Sequence, residues 1–211
     1  MALTKFAVTP GFEVGGFLFT PKQLAELGSI VGEDANIEMT NFGQLYVVMD
    51  DKRIEEVQEK LQRTGLKIQP AGFYSKNLIA CNFCRGAEEA GLDIAKALDA
   101  TIAGHPTPSP LKIGYAGCAL GTSEPLLKDI GVVKMRNTFD IYLGGEPKGL
   151  KAALGQQLIS GIMERQLIPI ITGLIRHYQE NGKKKEKFSK FVKRVSMEKL
   201  RVVVSDSFEN E

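Results

Sequence analysis

An α+β fold is predicted by three features of this 211-residue chain. Capped helical stretches alternate with short strand-like runs in the first third, apolar runs in the middle third lead straight into turns, and the last third reads as helix. Two regions are expected, residues 1–70 and residues 71–211. A hydrophobic content of 43% against 25% charged residues is that of an ordinary globular protein, enough to give each region a core.

The first region reads strand, helix, strand, strand, helix from about Lys5 to Leu66. Thr20 has the chemistry of an N-cap, Pro21 suits the first helical position and Gln23 can close a capping box. Leu24, Leu27 and Val31 then share one face until Gly32. Ile37 to Thr40 and Gln44 to Val48 are strand-like, joined by Asn41-Phe42-Gly43, where glycine supplies the positive φ of a tight hairpin. Asp51 is placed to cap a second helix, whose apolar stripe is Ile54, Val57 and Leu61 and whose stop is Gly65. The product is a small α+β half-sandwich.

In the second region a strand from Leu78 to Ala80 runs into Cys81, and Leu92, Ala95, Leu98 and Ile102 mark a helix. Gly104 to Pro110 carries prolines at alternate positions, which makes a stiff extended loop. Lys112 to Ala116 is a strand running into Cys118. Ser123 is placed to cap a short helix with Pro125 in its first turn, and Phe139 to Leu143 is a further strand ending at Gly144-Gly145. Helices are expected over Gln166–Tyr178 and Lys185–Val195, followed by a charged tail from Ser205 that should fray.

Charge and hydropathy exclude two classes of partner. With 27 basic against 25 acidic side chains the net charge is +2, which gives no electrostatic case for nucleic acid. The basic run from Lys183 through Lys187 to Lys190, Lys193 and Arg194 is either a solvated helix face or a docking patch for an acidic redox partner. No secretory leader pattern opens the chain, and the greasiest stretch, Leu167 to Ile175, is far below the ~20 residues that cross a bilayer. A cytoplasmic location is expected. In that compartment cysteines more often bind metal or do redox chemistry than form structural disulfides.

All three cysteines, Cys81, Cys84 and Cys118, stand at strand-to-turn junctions. A closed zinc site or a cubane cluster takes four protein ligands, so one ligand is wanting. Three readings stay open on the residues alone. The thiolates could hold a [4Fe-4S] cluster whose fourth ligand is Thr122 oxygen, solvent or the sulfur of a small molecule. They could be small buried hydrophobes. They could join His105 in a Cys3His zinc site. His177, on an apolar helix, reads as a packed residue.

The segment Gly117-Cys118-Ala119-Leu120-Gly121-Thr122, then Asp129-Ile130-Gly131, then Phe139-Asp140-Ile141-Tyr142-Leu143-Gly144-Gly145 resembles the siroheme and [4Fe-4S] region of nitrite and sulfite reductases. Lys76-Asn77-Leu78-Ile79-Ala80-Cys81 is similar to the lead-in to that family's first cysteine pair, and the first region is similar to its ferredoxin-like half-domain, with Thr40 at a family threonine. Tyr178 to Gly182 and Phe188 to Val195 resemble its closing helices. The resemblance implies a ferredoxin-like half-domain followed by an α/β cluster-binding domain with C-terminal helices, in a small single-repeat member. It further implies an oxidoreductase that takes electrons from a donor protein and passes them to a small oxyanion. Pairing as a homodimer, or with a sister subunit, would rebuild the two-repeat arrangement.

Departures from the family pattern are specific. The first pair is Cys81-x2-Cys84 where the family has Cys-x5-Cys. Thr122 stands where the family has the cysteine that bridges cluster and siroheme, and Phe42 stands where it has an arginine for the substrate oxyanion. These changes favour a second reading, a non-catalytic relative serving in electron transfer or tetrapyrrole binding. Siroheme carries eight carboxylates and would need cations and hydrogen-bond donors. By resemblance these would be Lys76, Arg85, Lys112 and Lys134, with Asn77 and Thr40; each lysine taken alone reads as a solvated surface group.

Overall fold

A computed structural model describes residues 2–40 and 42–206. The chain divides into two compact units, Met1–Ala71 and Gly72–Glu211. Asn41 of the expected hairpin turn and the tail beyond Asp206 lie outside the described residues.

The first unit runs β1 (Leu3–Thr9), α1 (Pro21–Val31), β2 (Asn36–Met39), β3 (Leu45–Asp50), α2 (Ile54–Arg63) and β4 (Lys67–Pro70). Its antiparallel sheet has the order β2-β3-β1-β4, with Phe6 opposite Val47 and Val8 opposite Ile68. This is a βαββαβ ferredoxin-like unit, with the closing strand β4 added to the five elements expected. The closing strand β4 is only four residues long and ends at proline, a weak signal tolerated at a sheet edge. Phe6, Val8, Leu27, Val31, Val47, Met49, Val57 and Leu61 form its core.

The capping box of α1 forms as expected: Gln23 N–H donates to Thr20 Oγ1 at 3.1 Å and Thr20 N–H to Gln23 Oε1 at 3.0 Å. The start of α2 differs. Because β3 continues to Asp50, that residue rather than Asp51 takes the capping role, accepting from Lys52 N–H at 3.2 Å ahead of a 3₁₀ turn over Asp51–Arg53.

The second unit runs β5 (Ile79–Ala80), α3 (Ala87–Ala90), α4 (Leu92–Ile102), β6 (Ile113–Ala116), β7 (Ile130–Met135), β8 (Thr138–Leu143), β9 (Gln156–Ile162), α5 (Glu164–Asn181), α6 (Phe188–Val195) and α7 (Met197–Asp206). The sheet order is β5-β6-β7-β8-β9; β5, β6 and β7 are parallel, while β8 and β9 are antiparallel to their neighbours. Helices α4 and α5 pack on each other, and Leu98, Ile102, Tyr115, Val132, Ile141, Leu167 and Leu174 are buried in the core. Strands β7 and β9 and helices α3 and α7 add to the expected set. Four buried residues open β7, an uninterrupted apolar run typical of a parallel strand, whereas β9 is a mostly exposed edge strand broken by Gly161.

Ser123 does not cap a helix. Its Oγ donates to Tyr115 O at 2.7 Å, and a short 3₁₀ turn over Pro125–Leu127 follows Glu124, which has φ 52°. That loop lies close against the sheet: a side chain at Gly131 would run into the backbone of Pro125, and one at Gly145 into that of Leu126 and Lys128. The glycines of the Asp-Ile-Gly and Leu-Gly-Gly segments are therefore demanded by close approach. At the C-terminal end, Tyr178, Phe188 and Phe191 pack with ring centroids 5.0–5.9 Å apart. Arg194 grips the carboxylate of Glu186 with two hydrogen bonds of 2.8 and 2.7 Å.

Candidate metal centre

Strands β5 and β6 end side by side, Ala80 opposite Tyr115, and each delivers its cysteine at its C-terminal end. This is where open parallel sheets place their ligands. Cys81 N–H donates to Tyr115 O at 3.0 Å, extending the ladder by one residue. The Gly117 amide then donates to Cys81 Sγ at 3.2 Å, so the backbone of the second turn touches the sulfur of the first. Cys81 is buried, Cys118 partly buried and Cys84 exposed.

The tight Cys81-x2-Cys84 turn is made by Phe83, which has φ 50° and is fully buried, with its ring centroid 6.0 Å from that of Tyr115. A left-handed non-glycine residue persists only where packing over-determines it, and here the stacked ring does so. Tyr115 in turn donates to Ala90 O at 2.9 Å, and its burial pushes its hydroxyl above the ordinary range. Arg85 bonds Glu89 at 2.7 Å. The guanidinium is held above its usual range, chiefly by Glu89, and it lines the same cavity as Cys118.

Among the described residues no three His, Cys, Asp or Glu side chains gather as a single metal ion requires. His105 points elsewhere, with Nε2 2.7 Å from Thr101 O, so the Cys3His zinc reading is corrected. An iron–sulfur cluster takes a different donor set from a single metal ion. Cluster ligands stand around a cube rather than a point and are chiefly thiolates, and in this chain a backbone amide already meets the Cys81 sulfur.

The residues expected to hold siroheme are divided. Arg85 and Lys134 line one cavity of about 420 Å³ beside Cys118 at the C-terminal edge of the parallel strands, together with Glu89 and Arg136. Lys134 Nζ donates to Glu89 O at 2.9 Å and Arg136 O at 2.6 Å. Lys76, Asn77 and Lys112 precede β5 and β6 and so lie at the opposite end. Asn77 donates to the buried Asp99 carboxylate at 3.2 Å, and Lys76 Nζ to Gly72 O at 2.9 Å. Burial, with the charge of Lys112 beside it, lowers Lys76 to about 8. Lys112 is itself lowered, chiefly by burial, and lines a second cavity of about 300 Å³ with Asp129, whose carboxyl burial pushes up to about 7 although it accepts Lys112 N–H at 2.9 Å. Thr40 belongs to the first unit, where its hydroxyl donates to Gln44 O at 2.6 Å and closes the β2–β3 turn. The cations of the second unit thus stand in two groups, at the two ends of the parallel strands. Thr122 is exposed on the Cys118 loop, next to Gly121 at φ 61°.

Sequence reasoning passed over Glu89, Arg136 and the Gly117 amide. The Arg85/Glu89 spacing of four residues was a legible signal; the other two depend on strand register.

The pattern described as the nitrite and sulphite reductase 4Fe-4S domain matches residues 76–211. A sulfite reductase, assimilatory-type, from Nitratidesulfovibrio vulgaris is 25% identical over 203 residues, covering 94% of this chain and 92% of that protein. A cobalt-factor III methyltransferase from Priestia megaterium is 31% identical over 194 residues; the match covers 92% of this chain but 35% of that protein, so the chain spans about a third of that relative. Among solved structures, dissimilatory sulfite reductase I superimposes with a TM-score of 0.75 at 13% identity, over 96% of this chain and 69% of the other. The NirA protein of Mycobacterium tuberculosis gives 0.57 at 21% identity, over 93% and 39%. Both likenesses establish the fold.

Proposed function

Because the chain belongs to the nitrite and sulphite reductase 4Fe-4S domain family, we propose that it is a redox protein that holds an iron–sulfur cluster on Cys81, Cys84 and Cys118 and passes electrons to a small oxyanion such as sulfite or nitrite. One observation carries this reading: two cysteine turns meet at one edge of the parallel strands, with the Gly117 amide on the sulfur of Cys81. When bound, such a cluster supplies single electrons at a potential tuned by hydrogen bonds and nearby charge.

The chain's own part in this chemistry is electrostatic. Gly117 N–H withdraws charge from the Cys81 sulfur, and Arg85, which follows Cys84 in the chain, sets a cation in the cavity that Cys118 lines. Both favour an added electron. Thr122 offers a neutral hydroxyl where a thiolate would complete the set. A redox donor protein supplies the electrons, and twofold self-pairing, or pairing with a sister subunit, is the common route to a composite site. A cytoplasmic setting suits a reduced thiol set; no helix among the described residues is long and apolar enough to cross a membrane.

A second reading is favoured by the similarity to a protein named for a methyltransferase reaction, of which this chain spans a minor part. In that reading the chain is an electron-transfer or tetrapyrrole-binding subunit without catalysis, in keeping with Thr122 and Phe42. Anaerobic oxidation of a reduced viologen dye by sulfite or nitrite separates the two. Dye consumption by iron-loaded protein supports the reductase; an iron-loaded protein that consumes none supports the subunit. Sharp absorption bands in the red would mark siroheme.

A further inference from the structure

We infer that the basic face of α6 docks on the acidic end of the first unit in a second copy of this chain; the inference rests on the twofold self-pairing proposed above and names its surfaces. From Lys183 to Arg194 seven cations stand against one carboxylate, Glu186. That carboxylate is spent on Arg194, and Lys187 is spent on Glu146 at 3.0 Å. Lys184, Lys185, Lys190 and Lys193 are exposed and make no ion pair among the described residues. Phe188, Phe191 and Val192 hold the other side of α6 in the core, which turns its cations outward.

The complement lies in the first unit, which has ten acidic side chains against seven basic ones, whereas the second unit has fifteen against twenty. The excess is local. Glu33 and Asp34 follow α1, while Asp50, Asp51 and Glu55 surround the start of α2; the Arg53 guanidinium joins the two places by donating to Ile30 O at 3.5 Å. Lys52 and Arg53 are the two cations set against these five carboxylates. Glu33, Asp34 and Glu55 are exposed and make no ion pair among the described residues.

Chemistry narrows the occupant further. Six of the seven cations are lysines, point charges on flexible stems that suit scattered carboxylates. The aromatic rings of the segment, Phe188 and Phe191, are buried, so it presents no ring to stack on a base or to insert into lipid. Lys187 lines the Lys112 cavity, at the end of the parallel strands opposite the cysteine turns, so the length of β6 separates this face from the edge that an electron donor must reach. Related by a twofold axis, each copy offers its basic face to the other's acidic end, and the contact forms twice.

Sedimentation equilibrium of the full chain tests the inference. A dimer is expected at about 25 mM salt, with a dissociation constant about tenfold weaker or more at about 500 mM, because exposed charges are screened. Lys190→Glu/Lys193→Glu and Glu33→Lys/Glu55→Lys should each be monomeric at low salt, and an equal mixture of the two should recover the dimer, since both contacts are then complementary again. Circular dichroism verifies that the variants are folded. A wild-type monomer at about 100 µM in low salt overturns the inference. So does a dimer indifferent to salt and to both variants, which keeps self-pairing but assigns it to another surface. Monomeric variants that stay apart when mixed overturn the match between these two surfaces. A low-salt monomer that binds phosphatidylglycerol vesicles, polyuridylate or polyglutamate through Lys190 and Lys193 overturns it in favour of lipid, nucleic acid or a different acidic protein. Association is read without reference to iron, so failure of the cluster reading leaves these outcomes distinct.

Discussion

The backbone N–H of Gly117 donates to the sulfur of Cys81 across 3.2 Å, joining the two cysteine turns before any metal is considered. The contact depends on the absence of a side chain: a Cβ at Gly117 would sit 2.6 Å from Ala90 Cβ and 2.8 Å from Ala90 O. Gly117→Ala must displace the Cys118 turn or the end of α3. A loss of about 1–3 kcal/mol is expected, read as a lower urea midpoint, together with weaker iron retention. An unchanged midpoint and full iron would contradict the contact.

Lys76 gives a pH signature in the alkaline range. Its folded value, about 8, lies below the ordinary 10.5, so the folded chain releases this proton before the unfolded chain does. Between those two values the unfolded state binds more protons, and stability must rise with pH. The wild-type chain should gain stability from pH 8 towards 10.5 relative to Lys76→Met, which lacks the group. Parallel curves for the two proteins would show that Lys76 is solvated.

Asp129 works in the opposite direction. Its folded value of about 7 lies above the ordinary 3.8, so its contribution is fully present below pH 3.8 and is lost as pH rises through 7. Asp129→Asn retains an acceptor for Lys112 N–H without the charge. Its stability relative to wild type should therefore increase across that window, followed by thermal melts at fixed ionic strength. A constant difference would contradict the assignment.

Thr122→Cys restores a fourth thiolate on the Cys118 loop. If Thr122 stands at the vacant ligand position, the variant should retain more iron and sulfide per chain after anaerobic desalting, and its cluster should survive longer in air. No change in either quantity would place the fourth position elsewhere.

Much of the fold was legible because local signals and tertiary structure agree. Thr20 with Gln23, the Leu27/Val31 face and the Gly32 stop fixed α1 to the residue, and the Tyr178 and Phe191 positions anchored the closing helices. The elements that were not legible lack periodicity. β4 and β9 are edge strands defined by their partners, and β7 is a continuous apolar run that could as well be helix. At the candidate site, the three cysteines stand out by their place at strand ends, and Arg85 enters through the resemblance. The separation of Lys112 from Lys134 could not be read, because it follows from the direction of β6 and β7, which only strand pairing reveals.

The most direct test of the central claim is the iron and acid-labile sulfide content of anaerobically reconstituted protein, alone and with Cys81→Ser, Cys84→Ser or Cys118→Ser. The account predicts about four of each per wild-type chain, with broad visible absorption, and a marked loss in every variant. A colourless wild-type protein, or variants that hold iron as well as the wild type does, would contradict it.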